Sequence, residues 1–290
     1  MNGETGFCGE TSELRIASML PHFGEEPCLV GKYGSGTVFF TGCSCGCFFC
    51  QNYQLSHEHI GRLYTQEEFT AGLRELLAKG VHNLNFVTPD HFWPHISKAC
   101  RTLRAEGVEV PFLWNCSGYS NAELIPEQAK IIDAFMPDFK YALPELAETC
   151  MGDRNYPQIA LEAIGRMVDE TGFLRPWDET GGILATHGTL VRHLVLPDQL
   201  ENSIRALDML YEHFGPALPI SVMSQFQPMP ECERLGLFNT KVEPSIYEKV
   251  LEHLDELGFY RVFIQPKGGD DSFAPDFTSD KPFGAQNARK

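Results

Sequence analysis

The stretch Thr37-Val38-Phe39-Phe40-Thr41-Gly42-Cys43-Ser44-Cys45-Gly46-Cys47-Phe48-Phe49-Cys50 carries a β-branched and aromatic run directly into a loop with four thiols. The first five residues have the composition of a strand. Cys43, Cys47 and Cys50 are spaced C-x3-C-x2-C, with Phe49 just before the last thiol. Clusters of the [4Fe–4S] type are held by cysteine thiolates, normally four. Three clustered thiolates leave one iron open, and an open position is where a small molecule binds and reacts. Zinc is the competing chemistry. It wants four ligands, and its C-x2-C pairs recur in twos; this chain has no second such pair. Cys45 is a further thiol of the same loop. It reads as a loop cysteine without a role, as a fourth ligand, or as a site of oxidation.

Length and composition bound the rest. The chain has 290 residues, of which 43% are hydrophobic, enough for one large α/β domain with a full core. The formal net charge is −16, which argues against a nucleic-acid partner, because such binding needs a basic footprint. No apolar run of about 18 residues appears, so no membrane span is expected. Met1 to Glu10 is polar and acidic, unlike a secretory leader. The ten cysteines do not read as a disulfide framework in a chain of this size, and a reducing cytoplasm is the expected setting.

Short strand-like runs alternate with amphipathic segments. After Thr37–Thr41, strands are expected at about Asn83–Thr88, Val110–Cys116, Pro137–Tyr141, Leu190–Leu196 and Ile220–Gln225, with Tyr260–Ile264 as a possible addition. Helices are expected near Thr65–Lys79, Pro94–Glu106, Pro126–Phe135, Tyr156–Glu170, Gln199–Phe214 and Ile246–Leu257. Thr65 and Glu68, and again Ser245 and Glu248, have capping-box spacing. Gly34 and Gly36 lack the G-K-[ST] ending of a phosphate loop and read as turn glycines. Such βα units imply a parallel sheet, either doubly wound or curled into a barrel. In both, chemistry belongs at the carboxyl ends of the strands, where the cysteine loop lies.

Further polar residues fall on these strands. Asp138 and Lys140 share one face of theirs, as alternation requires. They read as a held pair at a site or as an ordinary salt bridge. Arg192 lies in an apolar strand, where its planar fork needs either a ligand carboxylate or an acidic side chain. His193 points the other way and reads as a packing residue. Cys100, Cys150 and Cys232 stand singly and receive no role.

The cysteine motif, with its aromatic residue, resembles that of the radical S-adenosylmethionine (SAM) superfamily. Several segments resemble the PflX-like homologues of the pyruvate formate-lyase activating enzymes. These are His22-Phe23-Gly24-Glu25-Glu26-Pro27, Gly34-Ser35-Gly36-Thr37, Cys50-Gln51-Asn52-Tyr53, Val87-Thr88-Pro89 and Arg192-His193-Leu194-Val195-Leu196-Pro197. The resemblance implies a partial (β/α)6 TIM-type barrel over residues 37–266. Residues 1–36 would be an extension packed on it, and 267–290 a polar tail. It also implies a [4Fe–4S] cluster on Cys43, Cys47 and Cys50, with SAM on the open iron and Phe49 near the adenine. Asp138, Lys140 and Arg192 would orient SAM or substrate, and Asn115 or Ser117 would meet the ribose. The superfamily's Gly-Gly-Glu segment is absent, and Thr88 stands in its place. The activity implied is reductive cleavage of SAM to a 5′-deoxyadenosyl radical, which abstracts a hydrogen atom. The electron donor would be a flavodoxin or ferredoxin, and the hydrogen that of a glycine in a partner glycyl radical enzyme. Another peptide or a small molecule is the alternative substrate. A non-catalytic iron–sulfur protein, with Cys45 as fourth ligand, is the alternative from another class.

Overall fold

The computed structural model describes residues 4–265, 275–279 and 281–284. The chain enters through β1 (Arg15–His22), α1 (Pro27–Val30), β2 (Ser35–Phe40), α2 (Tyr53–Ser56), β3 (Arg62–Leu63) and α3 (Gln66–Ala78). There follow β4 (Leu84–Val87), α4 (Trp93–Ala105), β5 (Phe112–Cys116), α5 (Ile125–Gln128), β6 (Ala134–Pro137), α6 (Pro144–Met151) and α7 (Tyr156–Thr171). The remainder is β7 (Gly188–Thr189), β8 (Val191–Leu194), α8 (Leu200–Phe214), β9 (Ile220–Met223), α9 (Pro230–Leu235), α10 (Pro244–Glu256) and β10 (Val262–Ile264).

The strands run β3-β1-β2-β4-β5-β6-β7 in one sheet and β10-β9-β8 in the other. From β2 onward every neighbouring pair is parallel. The two sheets form one curved surface. Only Leu190 separates β7 from β8. Asp138, just past β6, makes a parallel bridge to Arg192 of β8. The Phe139 amide donates to the Arg192 carbonyl at 2.7 Å. From β2 to β10 strand order follows chain order, with only β3 displaced to the edge beyond β1. A doubly wound sheet reverses its order at a switch point; the parallel strands here do not, so they form a partial barrel with β3 and β10 as its edge strands.

The strands β2, β4, β6, β8 and β9 are buried along their whole length. Parallel strands covered on both faces favour apolar residues, and the buried polar ones among them, such as Asn85, Arg192 and His193, find hydrogen-bond or ion-pair partners. Helix α3 shows how a cover is made. Thr65 accepts from the Glu68 amide at 3.1 Å, and Glu68 accepts from the Thr65 amide at 2.8 Å. That capping box starts the helix, which then buries Phe69, Leu73 and Leu76, each worth roughly 2 kcal/mol of burial.

The structure departs from the sequence expectations in several places. The fourth barrel strand is Ala134–Pro137 rather than Pro137–Tyr141, and the helix expected over Pro126–Phe135 is the single turn α5. Asp133 explains the shift: its carboxylate accepts from the Phe112 amide (2.7 Å) and from Arg104 (2.5 Å). This ties the chain to β5 before a helix can extend. Helix α10 starts at Pro244 with Glu243 at its N-cap, so the Ser245/Glu248 box does not form; proline favours the first helical position. Residues 1–36 are more than a packed extension, because β1 pairs antiparallel with β2 from Ser35 onward. Most of the expected tail lies outside the described residues. Its described part packs on the barrel mouth: Phe277 lies 5.2 Å from Phe39, and Phe283 4.3 Å from His22.

Candidate active site

The cysteine loop leaves the carboxyl end of β2 and is fixed by its backbone. The Cys43 amide donates to the Cys8 carbonyl (3.2 Å), Phe48 to the Cys150 carbonyl (3.2 Å) and Cys50 to the Cys47 carbonyl (3.0 Å). Cys45 and Cys47 are buried, while Cys43 and Cys50 are half-buried. The Cys45 thiol hydrogen-bonds to both Cys43 and Cys47 and lowers the pKa of each, to about 6 for Cys43. Tyr141 adds a hydroxyl donor to the Cys47 sulfur at 3.0 Å. Burial, together with the charges of Cys43 and Cys47, pushes the Cys50 thiol up to about 12. Phe49 is buried beside the loop, its ring centroid 5.6 Å from Phe226 and 5.7 Å from Phe238.

Asp138 and Lys140 follow β6 at the same rim. The Lys140 ammonium pairs directly with the Asp138 carboxylate, and both side chains are mostly buried. Burial works against the lysine charge. Asp138 outweighs it, with help from Tyr156 and Cys47, so the pKa lies well above the ordinary value. Three buried side chains pin this segment. The Tyr156 hydroxyl accepts from the Lys140 amide at 2.9 Å and lies 3.0 Å from the Asp138 carbonyl. Asn202 donates to the Lys140 carbonyl (2.9 Å) and accepts from the Ala142 amide (2.8 Å). His193 bridges the Phe139 carbonyl (2.7 Å) and the Ser203 hydroxyl (2.9 Å). His193 is therefore a packing residue, as alternation required. Asn202 and Ser203 were missed by the sequence reading, which gave them no role. Helix α8 buries Asn202, Ser203, Ala206, Leu207 and Leu210. Gly118 permits the approach of β5 to this segment, since a Cβ there would lie 2.1 Å from the Asp138 carbonyl oxygen.

Arg192 was read with two possible partners, a ligand carboxylate or an acidic side chain. Its Nε donates to Glu26 Oε1 at 3.0 Å, and its Nη2 contacts both Glu25 and Glu26. Of the two pairings open to a buried arginine, the structure has the protein carboxylates. Glu25 also accepts from Asn85 Nδ2 at 2.7 Å. Burial disfavours its charge, but Arg192 overrides that cost and holds the carboxyl below its ordinary range. Arg192 still lines the cavity. So do Thr88, Asn115 and Ser117, the residues expected near SAM. Thr88 adopts a φ of 54° at the end of β4. A β-branched residue there is strained, and such strain gathers at functional sites.

The four loop cysteines, the Asp138–Lys140 pair and Arg192 border one cavity of about 760 Å³, within the range of small-molecule sites. Cys43, Cys45, Cys47 and Cys50 form one wall; His22, Glu25, Glu26 and Arg192 form another. The donor set fits an iron–sulfur cube. Among the described residues no three His, Cys, Asp or Glu side chains converge on one point, as a single ion would require. In a cube each thiolate serves its own iron, so three motif thiols bordering one cavity suit it.

Comparison with known proteins agrees with this geometry. Residues 31–139 match the family described as a 4Fe-4S single cluster domain, a span that contains the whole cysteine loop. An uncharacterized protein of Methanocaldococcus jannaschii is 26% identical over 256 residues, covering 86% of this chain and 69% of that protein. Methylornithine synthase superposes with a TM-score of 0.51 at 14% identity, covering 77% of this chain. The chain spans 60% of that synthase's length. Spore photoproduct lyase with bound AdoMet gives a TM-score of 0.46 at 9% identity over 78% of this chain. The family match supports a [4Fe–4S] cluster in the cysteine loop, and the superposition on the synthase shows a shared fold.

Proposed function

We propose that this chain is a radical SAM enzyme that holds a [4Fe–4S] cluster on Cys43, Cys47 and Cys50 and binds SAM in the adjoining cavity. The observation that carries this reading is the shared rim: three motif thiols and the Asp138–Lys140 pair open on one cavity at the carboxyl ends of parallel strands. When bound, the cluster and SAM supply a 5′-deoxyadenosyl radical that abstracts a hydrogen atom. The chain's own residues hold and shield. The Tyr141 hydroxyl and the Cys43, Cys45 and Cys47 sulfurs form a hydrogen-bonded set that orients the loop. Phe49 walls off one side of it from water. Lys140 and Asp138 offer a paired cation and anion to the zwitterionic amino-acid end of SAM, and Tyr156 and Asn202 fix that pair in place. Thr88, Asn115 and Ser117 supply polar groups for the nucleoside.

The finer reading is hydrogen abstraction from a glycine of a partner protein, with a flavodoxin or ferredoxin as donor. The segments shared with activating enzymes support it. SAM cleavage tests the core of the proposal. Anaerobically reconstituted protein, reduced with dithionite, is expected to release 5′-deoxyadenosine, and the Cys43→Ala, Cys47→Ala and Cys50→Ala variants to release none. Wild-type protein with an intact cluster and no deoxyadenosine would refute it.

A further inference from the structure

The wall opposite the cysteine loop has more acid than its function as a brace requires. Glu25 and Glu26 come from the turn before α1, and Arg192 from β8, more than 160 residues away. Their side chains are 8%, 7% and 9% exposed. One guanidinium neutralises only one of the two carboxylates. Among the described residues no second Lys or Arg pairs with either carboxylate, so one guanidinium serves two buried acids. Isolated charge in such a place is costly unless it is paired.

One further atom points the same way. His22 lines the same cavity at 8% exposure, and its Nδ1 is buried with no hydrogen-bond partner among the described residues. Burial lowers the pKa of His22, so the ring is neutral and one of its nitrogens is an acceptor. Asn85 lies behind Glu25, outside the cavity lining, and donates its Nδ2 to that carboxylate. Buried polar groups are nearly always satisfied, and each exception asks for an explanation. Among the described residues the wall has one guanidinium for two carboxylates and one buried ring nitrogen without a partner. An ammonium supplies a positive charge to the first and a hydrogen-bond donor to the second.

We infer that Glu25, Glu26 and His22 form a substrate subsite for a cationic amine, such as a primary ammonium on a side chain or small molecule, with Arg192 as the positioning residue that keeps the two carboxylates together. The inference rests on the radical SAM reading of the same cavity and names its substrate class.

The test uses reconstituted full-length protein saturated with SAM. It is titrated calorimetrically with three probes of one length: hexylammonium, hexanol and hexanoate. Hexylammonium is expected to bind at least tenfold more tightly than the other two, and the preference is expected to collapse in Glu25→Gln. Glu26→Gln serves as the second variant if Glu25→Gln fails to fold, and the wild-type probe series stands without either. Equal binding of the three probes, or tighter binding of hexanoate, overturns the subsite. So does displacement of SAM by hexylammonium, because the acidic wall would then belong to SAM. Deoxyadenosine formation by the same wild-type sample, measured in parallel, separates failure of the subsite from failure of the enzymatic reading.

Discussion

The two walls of the cavity are built in opposite ways. The cysteine wall is local: four thiols within eight residues, hung from the end of one strand. The acidic wall is assembled from β1, the turn before α1, β4 and β8, which only the barrel brings together. Charge is handled differently too. On the cysteine wall, neighbouring thiols and Tyr141 stabilise sulfur charge by hydrogen bonds. On the acidic wall one guanidinium serves two carboxylates. The first arrangement suits a cofactor held by covalent ligands. The second suits a ligand recognised by charge.

The largest effect that would test this contrast is on the cysteine wall. Cys47→Ala should abolish iron–sulfur absorbance after reconstitution while leaving the far-ultraviolet circular dichroism of the fold intact. On the acidic wall the loss should instead be one of stability. Arg192→Met leaves two buried carboxylates unpaired and should cost about 3–5 kcal/mol in urea denaturation. A cost under about 1 kcal/mol would mean that the trio is not buried against the barrel as described.

Asp90 sharpens the comparison, because it is a buried carboxyl without a cation. Burial raises its pKa to about 6, against the pull of the Ser120 hydroxyl at 2.6 Å. A folded-state pKa above the unfolded value favours the fold at low pH. That contribution is full below about pH 4 and is lost as pH rises through 6. Asp90→Asn should therefore stabilise the protein at pH 8, by on the order of 2 kcal/mol, and change nothing at pH 4. Equal effects at both pH values would contradict the raised pKa. Glu25 should behave in the opposite sense. Its carboxyl is lowered, so its contribution is present above the ordinary carboxylate range and disappears on acidification. The smallest effect concerns the aromatic cover of the acidic wall. Phe283→Ala removes a ring 4.3 Å from His22 and 5.2 Å from Phe39, and should cost about 1 kcal/mol by urea denaturation.

The same contrast explains what the sequence could tell. A motif confined to one loop is legible, and so are strands such as β2, β4, β5, β8 and β9, whose runs are continuous and bounded. Strand β6 was misplaced because its start is set by Asp133, whose carboxylate is bound by Arg104 and the Phe112 amide of a neighbouring strand. Strand β1 was read as part of an extension because its partner lies across a turn. The fate of Arg192 was the clearest limit. Alternation put it on the inner face, but nothing local says which carboxylate comes to it, and Glu25 and Glu26 arrive from the far end of the chain. Asn202 and Ser203 were hidden by the same cause. They look like the polar face of α8 until the barrel turns them onto the backbone that carries Lys140.

The central claim is that Cys43, Cys47 and Cys50 hold a cube with one open iron facing a cavity that SAM enters. Electron paramagnetic resonance of the reduced, anaerobically reconstituted protein, with and without SAM, tests it most directly. The account predicts a [4Fe–4S]⁺ signal that changes shape on adding SAM. A cluster signal that ignores SAM would contradict it and would make Cys45 the fourth ligand.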